Sequence, residues 1–504
     1  MTSRSNAFFH PCSHRMHLVL LLMLGWAITS YQRTNLGMTM TCMVNSTAVT
    51  MIQHQNVDYK KHNHVNRCFV NQTTSDGIPA NNYGGELLWS PRMQNLLFSS
   101  SFWGCMLSNI PAGYISDRFS PRNALFLAVL IMSISTFSIP FITEFFGFIG
   151  VFIARFIYGI GDGFVLPTAN WIISRWVPRN ELSQAGSLFT SGFQIAGIVG
   201  VPISAAFCDS SVKWPGVFYL CGLMGILWCV IFLLTGKDSP QKSKVISRTE
   251  KAYLVENIAD HRQVKGHAKI KQPWREMFTS VPLLACLYSS FCFHVFLMFI
   301  ASYTPSFFKE VYYLKTMDNG IYSALPHLGQ MLTKILWGVF IDHLKIRGKI
   351  SQTTSVRVSQ SFSCILVGIV MLIVRYNMDC EKVKLVGALY IMMGLALGPA
   401  TSGFFTSLLS LAPLHTGTLT SMSMLVGSFG MIACPWIVDM FRVDGTPEEW
   451  QTIMLIISLL IISSGFIFGT MASGEAQNWA VPKASEMDVI EAKQPLNELQ
   501  ESII

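Results

Sequence analysis

The stretch "GYISDRFSPR", residues 113–122, ends one long apolar segment and leads directly into the next. A similar stretch, "GVFIDHLKIRGK", residues 338–349, stands at the corresponding place in the second part of the chain. Both carry an aspartate, Asp117 or Asp342, beside basic residues. A single turn of this composition is common at a helix end. Two copies in register indicate an internal repeat, which is typical of carriers built from two similar halves.

The residues of these two turns indicate a mechanical role. Gly113 has no side chain and lets two helices approach closely. Asp117 can cap a helix end and pair with a cation across its own half, and Arg118 supplies a cation beside it. We therefore predict a conformational loop that holds one state of the protein, made by Gly113, Asp117, Arg118 and Asp342. The alternative is a pair of ordinary polar turns.

The composition is that of a membrane protein. Of the 504 residues, 51% are hydrophobic and 13% are charged, whereas soluble domains carry about a quarter charged residues. The net charge of +8 is spread over short loops, so nucleic-acid binding is not indicated. The twelve cysteines include no CxxC pair, so we expect no metal site and no cofactor. Cys68, Cys208 and Cys380 lie in loops where a disulfide can form, but the sequence does not pair them.

Apolar runs of about 20 residues predict membrane spans. There are twelve, at residues 18–41, 94–116, 123–142, 147–169, 184–207, 216–235, 281–305, 319–341, 357–375, 384–408, 416–440 and 451–471. The predicted fold is therefore an all-α membrane protein with twelve transmembrane helices in two six-helix pseudo-repeats. The halves cover residues 18–235 and 281–471, joined by a linker at 236–280. Residues 1–17 and 472–504 form the two ends.

The basic loops predict the orientation in the membrane. Lysines and arginines accumulate after spans 2, 4, 6 and 8, on the side that also holds both termini. The positive-inside rule makes this side cytoplasmic. The loop at 42–93 is then lumenal or extracellular. It carries the sequons of Asn45 and Asn71, for which we predict glycosylation.

Span 4 contains two charges at bilayer depth. The stretch "RFIYGIGDGFVLP", residues 155–167, places Arg155 and Asp162 among apolar residues, where a charge costs about 2.5–3.5 kcal/mol. Seven residues separate them, so they share a helix face about 10 Å apart, too far for a direct ion pair. The arrangement suits one site for an anion and another for a proton or cation. The alternative is a structural network in which Arg155 or Arg33 neutralises Asp162.

Three further ionisable residues fall inside predicted spans. Arg33 in span 1 has the same standing as Arg155. Lys334 in span 8 either faces the cavity or extends towards the cytoplasmic surface. His294 in span 7 is a candidate proton-binding group, although a single histidine in a helix more often packs through a hydrogen bond. We retain Lys334 and His294 as candidate cavity residues.

Several stretches resemble one family nearly from end to end. They are "QRTNLGMTMTCMVN" (32–45), "WSPRMQNLLFSSSFWGCMLSNIPAGYISDRF" (89–119), "RFIYGIGDGFVLPTANWIISRWVPRNE" (155–181), "ALPHLG" (324–329), "EEWQ" (448–451) and "ASGEAQNWA" (472–480). They look like the anion/cation symporter family of the major facilitator superfamily, which includes sialin, the vesicular glutamate transporters and the sodium-phosphate cotransporters. The resemblance implies substrate binding by Arg33 and Arg155. It also implies proton or ion coupling by Asp162, where familiar members carry glutamate.

Three features depart from the glutamate carriers of that family. Phe98 stands where they place a histidine in span 2, and Phe293 where they place an arginine in span 7. The stretch "SLLSLAP", residues 407–413, replaces the polar element of their span 10. The resemblance therefore implies a carrier for which glutamate is a disfavoured substrate.

These observations predict a secondary active transporter of small organic or inorganic anions that works by alternating access. Its partners are a small anionic substrate, a coupling ion (a proton or sodium) and the lipid bilayer, and membrane potential is a further driving force. A facilitative carrier of a neutral solute and a non-transporting membrane sensor are the alternatives. No enzyme is expected, because HExxH, GxxxxGK[ST] and GxSxG motifs are missing from the sequence. A lysosomal or vesicular membrane and the plasma membrane both fit.

Overall fold

The computed structural model describes residues 13–53, 83–118, 120–178, 181–238, 240, 246–247, 250–254, 273–412 and 415–480. Eight helices in this part of the chain are long and apolar enough to cross a membrane. The longest, Pro121–Trp176, breaks at Gly147, where φ is +56°, in the region that favours glycine. It therefore supplies two spans. Three more long helices, His14–Met43, Pro91–Arg118 and Thr316–Ile346, complete the predicted twelve.

The twelve spans form two sets of six. Span 1 is His14–Met43, span 2 is Pro91–Arg118, and spans 3 and 4 are the two parts of Pro121–Trp176. Span 5 is the run Leu182–Thr190, Gly192–Ile195, Ala196–Gly200 and Val201–Cys208, and span 6 is Lys213–Thr235. Span 7 is the run Val281–Met298, Phe299–Tyr303 and Thr304–Val311, span 8 is Thr316–Ile346, and span 9 is Gln352–Arg375. Span 10 is the run Val383–Leu397, Gly398–Ser402 and Phe404–Leu411, span 11 is Thr416–Phe441, and span 12 is Pro447–Met471. Short helices are Ser46–Gln53, Trp274–Thr279, Cys380–Lys382 and Asn478–Ala480.

The bundle has two faces, which are named here by the segments that lie at them. The loop side is the face at which span 1 ends at Met43 and span 2 begins at Pro91. The terminal side is the face at which span 1 begins at His14 and span 12 ends at Met471. Spans 1 to 6 are called the first half, and spans 7 to 12 the second half.

Several helix ends differ from the predicted boundaries. Span 1 begins at His14 rather than at residue 18, and the expected connection at 143–146 is helical up to the break at Gly147. The expected loop at 42–93 contains the helix Ser46–Gln53, and the expected linker at 236–280 contains Trp274–Thr279. Hydropathy marks the part of a helix that lies in lipid, whereas the helix itself continues until its backbone hydrogen bonds end. The predicted and observed boundaries therefore differ.

Glycines on span 4 fix its distance from span 2. A Cβ on Gly159 would lie 1.8 Å from the carbonyl oxygen of Ser101, and one on Gly163 would lie 2.1 Å from Oγ of Ser108. Such distances leave no room for a side chain, so the two helix backbones pack at close range. This contact sets the face that span 4 turns towards the centre of the protein, and with it the direction of Arg155 and Asp162.

Polar contacts join the two halves near the loop side. The Asn95 amide donates to Oδ1 of Asp439 at 3.1 Å, and the Tyr303 hydroxyl donates to Oδ1 of Asn95 at 2.8 Å. The Lys309 ammonium donates to the carbonyl oxygen of Thr41 at 2.6 Å. Each of these bonds connects a first-half residue to a second-half residue. The halves are therefore held together at this side.

Within the first half, a disulfide joins Cys42, at the end of span 1, to Cys208, at the end of span 5. Cys208 was one of three cysteines that the sequence left unpaired. Its partner, Cys42, was not among those three, because it directly follows the apolar run that ends at residue 41, although it is the first residue of the expected loop at 42–93.

Candidate functional site

Span 1 and span 4 bring an arginine and an aspartate together. Nη1 of Arg33 lies 3.2 Å from Oδ2 of Asp162, which is buried. The Arg33 guanidinium lies 5.6 Å from the ring of Trp26 and 5.8 Å from that of Phe193, within the range of a cation–π contact. Arg33 and Asp162 therefore form an ion pair between spans 1 and 4. A pair removed from water in this way is strongly coupled, so a change on one partner acts on the other.

Arg155 is the second cation of the site, and only 2% of it is exposed. Its Nη1 donates to the carbonyl oxygen of Gln32 at 2.9 Å and its Nη2 to that of Arg33 at 3.1 Å. Its Nε is buried without an acceptor, and no carboxylate of the described residues forms an ion pair with it. Carbonyl oxygens orient a guanidinium but leave its charge in place. Among the described residues, Arg155 thus has no carboxylate paired with it directly.

Arg33 and Arg155 line one cavity between the two halves. The first half adds Thr34, Ser101 and the aromatic rings of Phe98, Phe102 and Phe193; the second half adds Leu297, Met298, Ala301, Ser302 and Met431. Two cations and one carboxylate, Asp162, give the site a net positive charge. The largely apolar second-half wall excludes water and so strengthens the electrostatic interactions of these groups. The arrangement can bind a small anion with an apolar or aromatic-stacking body.

Lys334 and His294 lie outside the lining of this cavity. The Lys334 ammonium reaches from span 8 across to Oγ1 of Thr190 in span 5, at 2.7 Å. His294 faces span 11, where its ring contacts Gly427, and its Nδ1 lies 2.7 Å from the carbonyl oxygen of Ser290 in its own helix. Lys334 therefore contacts the other half, and the ring of His294 lies within hydrogen-bond distance of its own helix.

The repeated turns fall at matching places in the two halves. Span 2 ends at Arg118, so Gly113 and Asp117 lie in its last turns. Asp342 lies near the end of span 8, the second helix of the second half. Its carboxylate is largely exposed and pairs with Lys345 one turn along the same helix, at 2.7 Å. At Asp342 the ion pair therefore lies within one helix, whereas a pair between helices was expected for this loop.

The two sequons have different positions. Oδ1 of Asn45 accepts a hydrogen bond from the backbone N–H of Ala48 and so caps the helix Ser46–Gln53. Asn71 lies outside the described residues. Glycosylation of either residue stays a prediction. In the described part of the chain, no group of three or more histidine, cysteine, aspartate or glutamate side chains is placed to hold a metal ion.

Two charged clusters were missed from sequence. One lies on the loop side, where Nε of Arg442 donates to Glu310 at 3.1 Å and Lys309 is buried beside them. The other lies on the terminal side, where Nε of Arg15 is 2.9 Å from Glu181. Neither has a local sequence signal, because all five residues lie near helix ends, where charges are ordinary.

The terminal-side cluster ties the linker to the first half. Glu250 accepts hydrogen bonds from the Ser13 hydroxyl at 3.2 Å and from the backbone N–H of His14 at 3.0 Å, and lies 3.7 Å from Nη1 of Arg15. Burial raises the pKa of Glu181 above its usual value, although the charge of Arg15 acts in the opposite direction. The same arginine therefore serves two carboxylates.

Sequence comparisons agree with this architecture. The family model of the Major Facilitator Superfamily matches residues 22–435. The uncharacterized transporter slc-17.3 of Caenorhabditis elegans is 36% identical over 511 residues, which is 98% of this chain and 94% of that protein. Vesicular glutamate transporter 1 of Xenopus tropicalis is 30% identical over 475 residues, 93% of this chain and 76% of that protein. Sialin of Ovis aries is 28% identical over 473 residues, 93% and 91% of the two chains.

Solved structures share the fold. The xylose transporter XylE from E. coli, in an inward-open conformation, superposes with a TM-score of 0.65 at 13% identity, over 91% of this chain and 96% of that one. A bacterial homolog of the human lysosomal transporter Spinster gives a TM-score of 0.61 at 15% identity, over 90% and 96%. Twelve helices in two halves around a central cavity define a membrane carrier.

The chain belongs to the Major Facilitator Superfamily, and its relatives place it in the anion/cation symporter branch. The predicted fold and the resemblance are thereby confirmed. The protein is a transporter rather than an enzyme.

Proposed function

We propose that the protein moves a small organic anion across a membrane by alternating access and couples that movement to a proton. Arg155 and Arg33 bind the anion, and Asp162 binds the proton. The observation that carries this proposal is the charge of the cavity: Arg155 has no carboxylate partner among the described residues, while Arg33 has Asp162. An anion is the ligand that an uncompensated buried guanidinium favours.

The ion pair between Arg33 and Asp162 supplies a physical route to coupling. While Asp162 is ionised, it occupies Nη1 of Arg33 at 3.2 Å. A proton on Asp162 removes the negative charge and releases Arg33 towards the substrate. The anion and the proton then bind more tightly together than apart, which is a coupling free energy shared equally by both ligands. This linkage favours symport over exchange.

The cavity wall supports an organic substrate rather than a bare inorganic ion. Phe98, Phe102 and Phe193 face the space beside the two arginines, and the second half contributes Leu297 and Met298. A ligand with one carboxylate and a body of several carbon atoms would use both kinds of wall. The relatives named sialin and vesicular glutamate transporter support an organic anion. Phe98 and Phe293, which lack charge, argue against a second carboxylate.

The orientation completes the proposal. We take the terminal side as cytoplasmic and the loop side as lumenal or extracellular, on the strength of the basic loops. The polar contacts between halves near the loop side, such as those of Asn95 with Asp439 and Tyr303, support a state closed on that side. Relatives named as vesicular transporters support an acidic vesicle, which would supply the proton.

Uptake into proteoliposomes tests this function. Labelled sialic acid, glutamate, aspartate, urate and phosphate are compared with xylose under an imposed pH gradient, sodium gradient or voltage. We expect one organic anion to accumulate with the proton gradient, and Arg155→Ala to abolish the accumulation. Arg275→Ala serves as the matched control, because Arg275 is exposed in the short helix Trp274–Thr279. Accumulation of xylose alone, or full activity of Arg155→Ala, would contradict the proposal.

A further inference from the structure

Span 4 carries a third polar side chain, Tyr158, between Arg155 and Asp162. Tyr158 lies three residues after Arg155 and four before Asp162, so the three side chains share one face of the helix. Tyr158 is completely buried, and it is not among the residues that line the cavity of Arg33 and Arg155, which we call the midplane cavity. It therefore stands behind the charged groups, and the transport cycle proposed above does not use it.

The ring of Tyr158 packs against Arg155. Cζ of the Arg155 guanidinium lies 5.0 Å from the centroid of the ring, within the range of a cation–π contact. The carbonyl oxygens of Gln32 and Arg33 accept from Nη1 and Nη2 of the same guanidinium. The ring and the two carbonyls together fix the guanidinium. A group that is fixed before its ligand arrives loses less rotamer freedom when the ligand binds.

The hydroxyl of Tyr158 fixes the ring in turn. It donates to the carbonyl oxygen of Thr29 in span 1 at 2.8 Å, and Thr29 is buried as well. Along span 4, this bond lies between two other connections to span 1, those made by Arg155 and by Asp162. The hydroxyl therefore holds spans 1 and 4 together at the level of the charged groups.

We propose that Tyr158 is a positioning residue for anion binding that acts through Arg155. Its ring keeps the guanidinium turned towards the midplane cavity, and its hydroxyl keeps the ring in place against span 1. This role rests on the function proposed above, because it requires that Arg155 binds the anion. The affinity for the anion then depends on a side chain that the anion does not touch.

Anion binding by the full-length protein in detergent tests this role. The probes are sialic acid, glutamate, aspartate, urate and phosphate, each measured by isothermal titration. Tyr158→Phe keeps the ring and loses the hydroxyl, so we expect it to weaken the binding of the transported anion by about two- to tenfold. Tyr158→Leu also loses the ring, and we expect a loss of up to about 30-fold.

Tyr312→Phe is the matched control. The Tyr312 side chain is also buried, and its hydroxyl donates to a backbone carbonyl, that of Asn377, at 3.0 Å. It lies just after span 7 and is not part of the midplane cavity lining. We expect Tyr158→Phe and Tyr312→Phe to lower Tm by similar amounts, and only Tyr158→Phe to change anion affinity. A purely structural hydrogen bond would change Tm alone.

A double-mutant cycle shows whether Tyr158 acts through Arg155. In the background of Arg155→Ala there is no guanidinium to position, so we expect Tyr158→Leu to weaken anion binding there by less than about twofold. If Tyr158→Leu does not fold, Tyr158→Phe completes the same cycle. An equal loss of affinity in both backgrounds would mean that Tyr158 acts without Arg155, which would overturn the proposal.

The single variants distinguish a failure of this role from a failure of the proposed function. If Arg155→Ala weakens anion binding while Tyr158→Phe and Tyr158→Leu bind as the wild type does, Arg155 needs no positioning and the role of Tyr158 is overturned. If Arg155→Ala itself binds the anion as tightly as the wild type, the proposed function fails, and the role of Tyr158 fails with it.

Discussion

The midplane cavity is lined by two cations that stand beside one carboxylate, Asp162, and the loop-side cluster of Lys309, Glu310 and Arg442 has the same composition. At the midplane, Arg33, Arg155 and Asp162 all come from the first half, and the second half presents a wall without charge. On the loop side the division is reversed, because Lys309, Glu310 and Arg442 all come from the second half. Each half therefore carries one cluster and faces the neutral wall of the other.

The two ion pairs differ in strength. Asp162 holds Arg33 through one hydrogen bond of 3.2 Å, and the Arg33 side chain is 14% exposed. Glu310 holds Arg442 through two nitrogens and is fixed further by Trp450. A pair held at a single point can open when a proton or a substrate arrives, whereas a bidentate pair that a third donor also holds stays closed. We therefore place ion coupling at the midplane and a fixed structural pair on the loop side.

The largest effect is expected from breaking the fixed pair. Glu310→Gln leaves Arg442 buried without a counter-ion, which costs about 3–5 kcal/mol. Thermal unfolding should show a large fall in Tm. Asp379→Asn is the control, because its pair with Lys382 is largely exposed and worth little. A Glu310→Gln protein as stable as the control would mean that the loop-side pair is not a fixed one.

Removal of the free midplane cation should come next. Arg155→Ala deletes the charged hydrogen bonds to the anion, worth about 1.5–3 kcal/mol, so anion affinity should fall by roughly 10- to 150-fold. Binding of the transported anion is measured by isothermal titration on purified protein, with Arg275→Ala as the control. Unchanged anion affinity would mean that Arg155 has a structural role, and the two clusters would then not differ in function.

A smaller change is expected at the contact between spans 5 and 8. Lys334→Met removes the hydrogen bond from Lys334 to Thr190, worth about 0.5–1.5 kcal/mol. Because Lys334 lies outside the cavity lining, anion affinity should stay constant while the uptake rate changes by no more than about tenfold. Lys349→Met, at an exposed position, is the control. A loss of anion affinity in Lys334→Met would show that Lys334 belongs to the binding site.

The smallest effect concerns stability and pH on the terminal side. Since burial raises the pKa of Glu181, the folded protein binds this proton more tightly than the unfolded chain does. The resulting stabilisation is complete below the ordinary glutamate pKa and is lost as pH rises through the folded value. Tm should therefore rise slightly from pH 7.5 to 5, and less so in Glu181→Gln. Equal rises in Glu181→Gln and in the exposed control Glu276→Gln would exclude Glu181 as the source.

The sequence predicts the midplane cluster well and the loop-side cluster not at all, for one physical reason. Arg33, Arg155 and Asp162 stand in apolar runs, where the cost of a charge makes each one conspicuous. Lys309 and Arg442 lie at span ends, where lysine and arginine are common, and only the packing of the two halves buries them. The sequence therefore carries no sign of their isolation from water.

The sequence likewise did not settle which side chains pair. The seven-residue spacing excludes a bond between Arg155 and Asp162, but Arg33 as the partner follows from how span 1 packs on span 4. The same holds for the bond between Cys42 and Cys208, which depends on the approach of spans 1 and 5. The twelve spans are different, because each is set by its own local hydropathy, and all twelve were predicted.

The most direct test of the coupling between Arg33 and Asp162 is the pH dependence of anion binding in Asp162→Asn. Dissociation constants are measured by isothermal titration at pH 5 and pH 7.5 for wild type and variant. We predict that the proton-linked part of anion binding in the wild type is lost in Asp162→Asn, which binds the anion with one affinity at both pH values because Arg33 is free throughout. A variant that keeps the pH dependence of the wild type would contradict the release of Arg33 by protonation of Asp162.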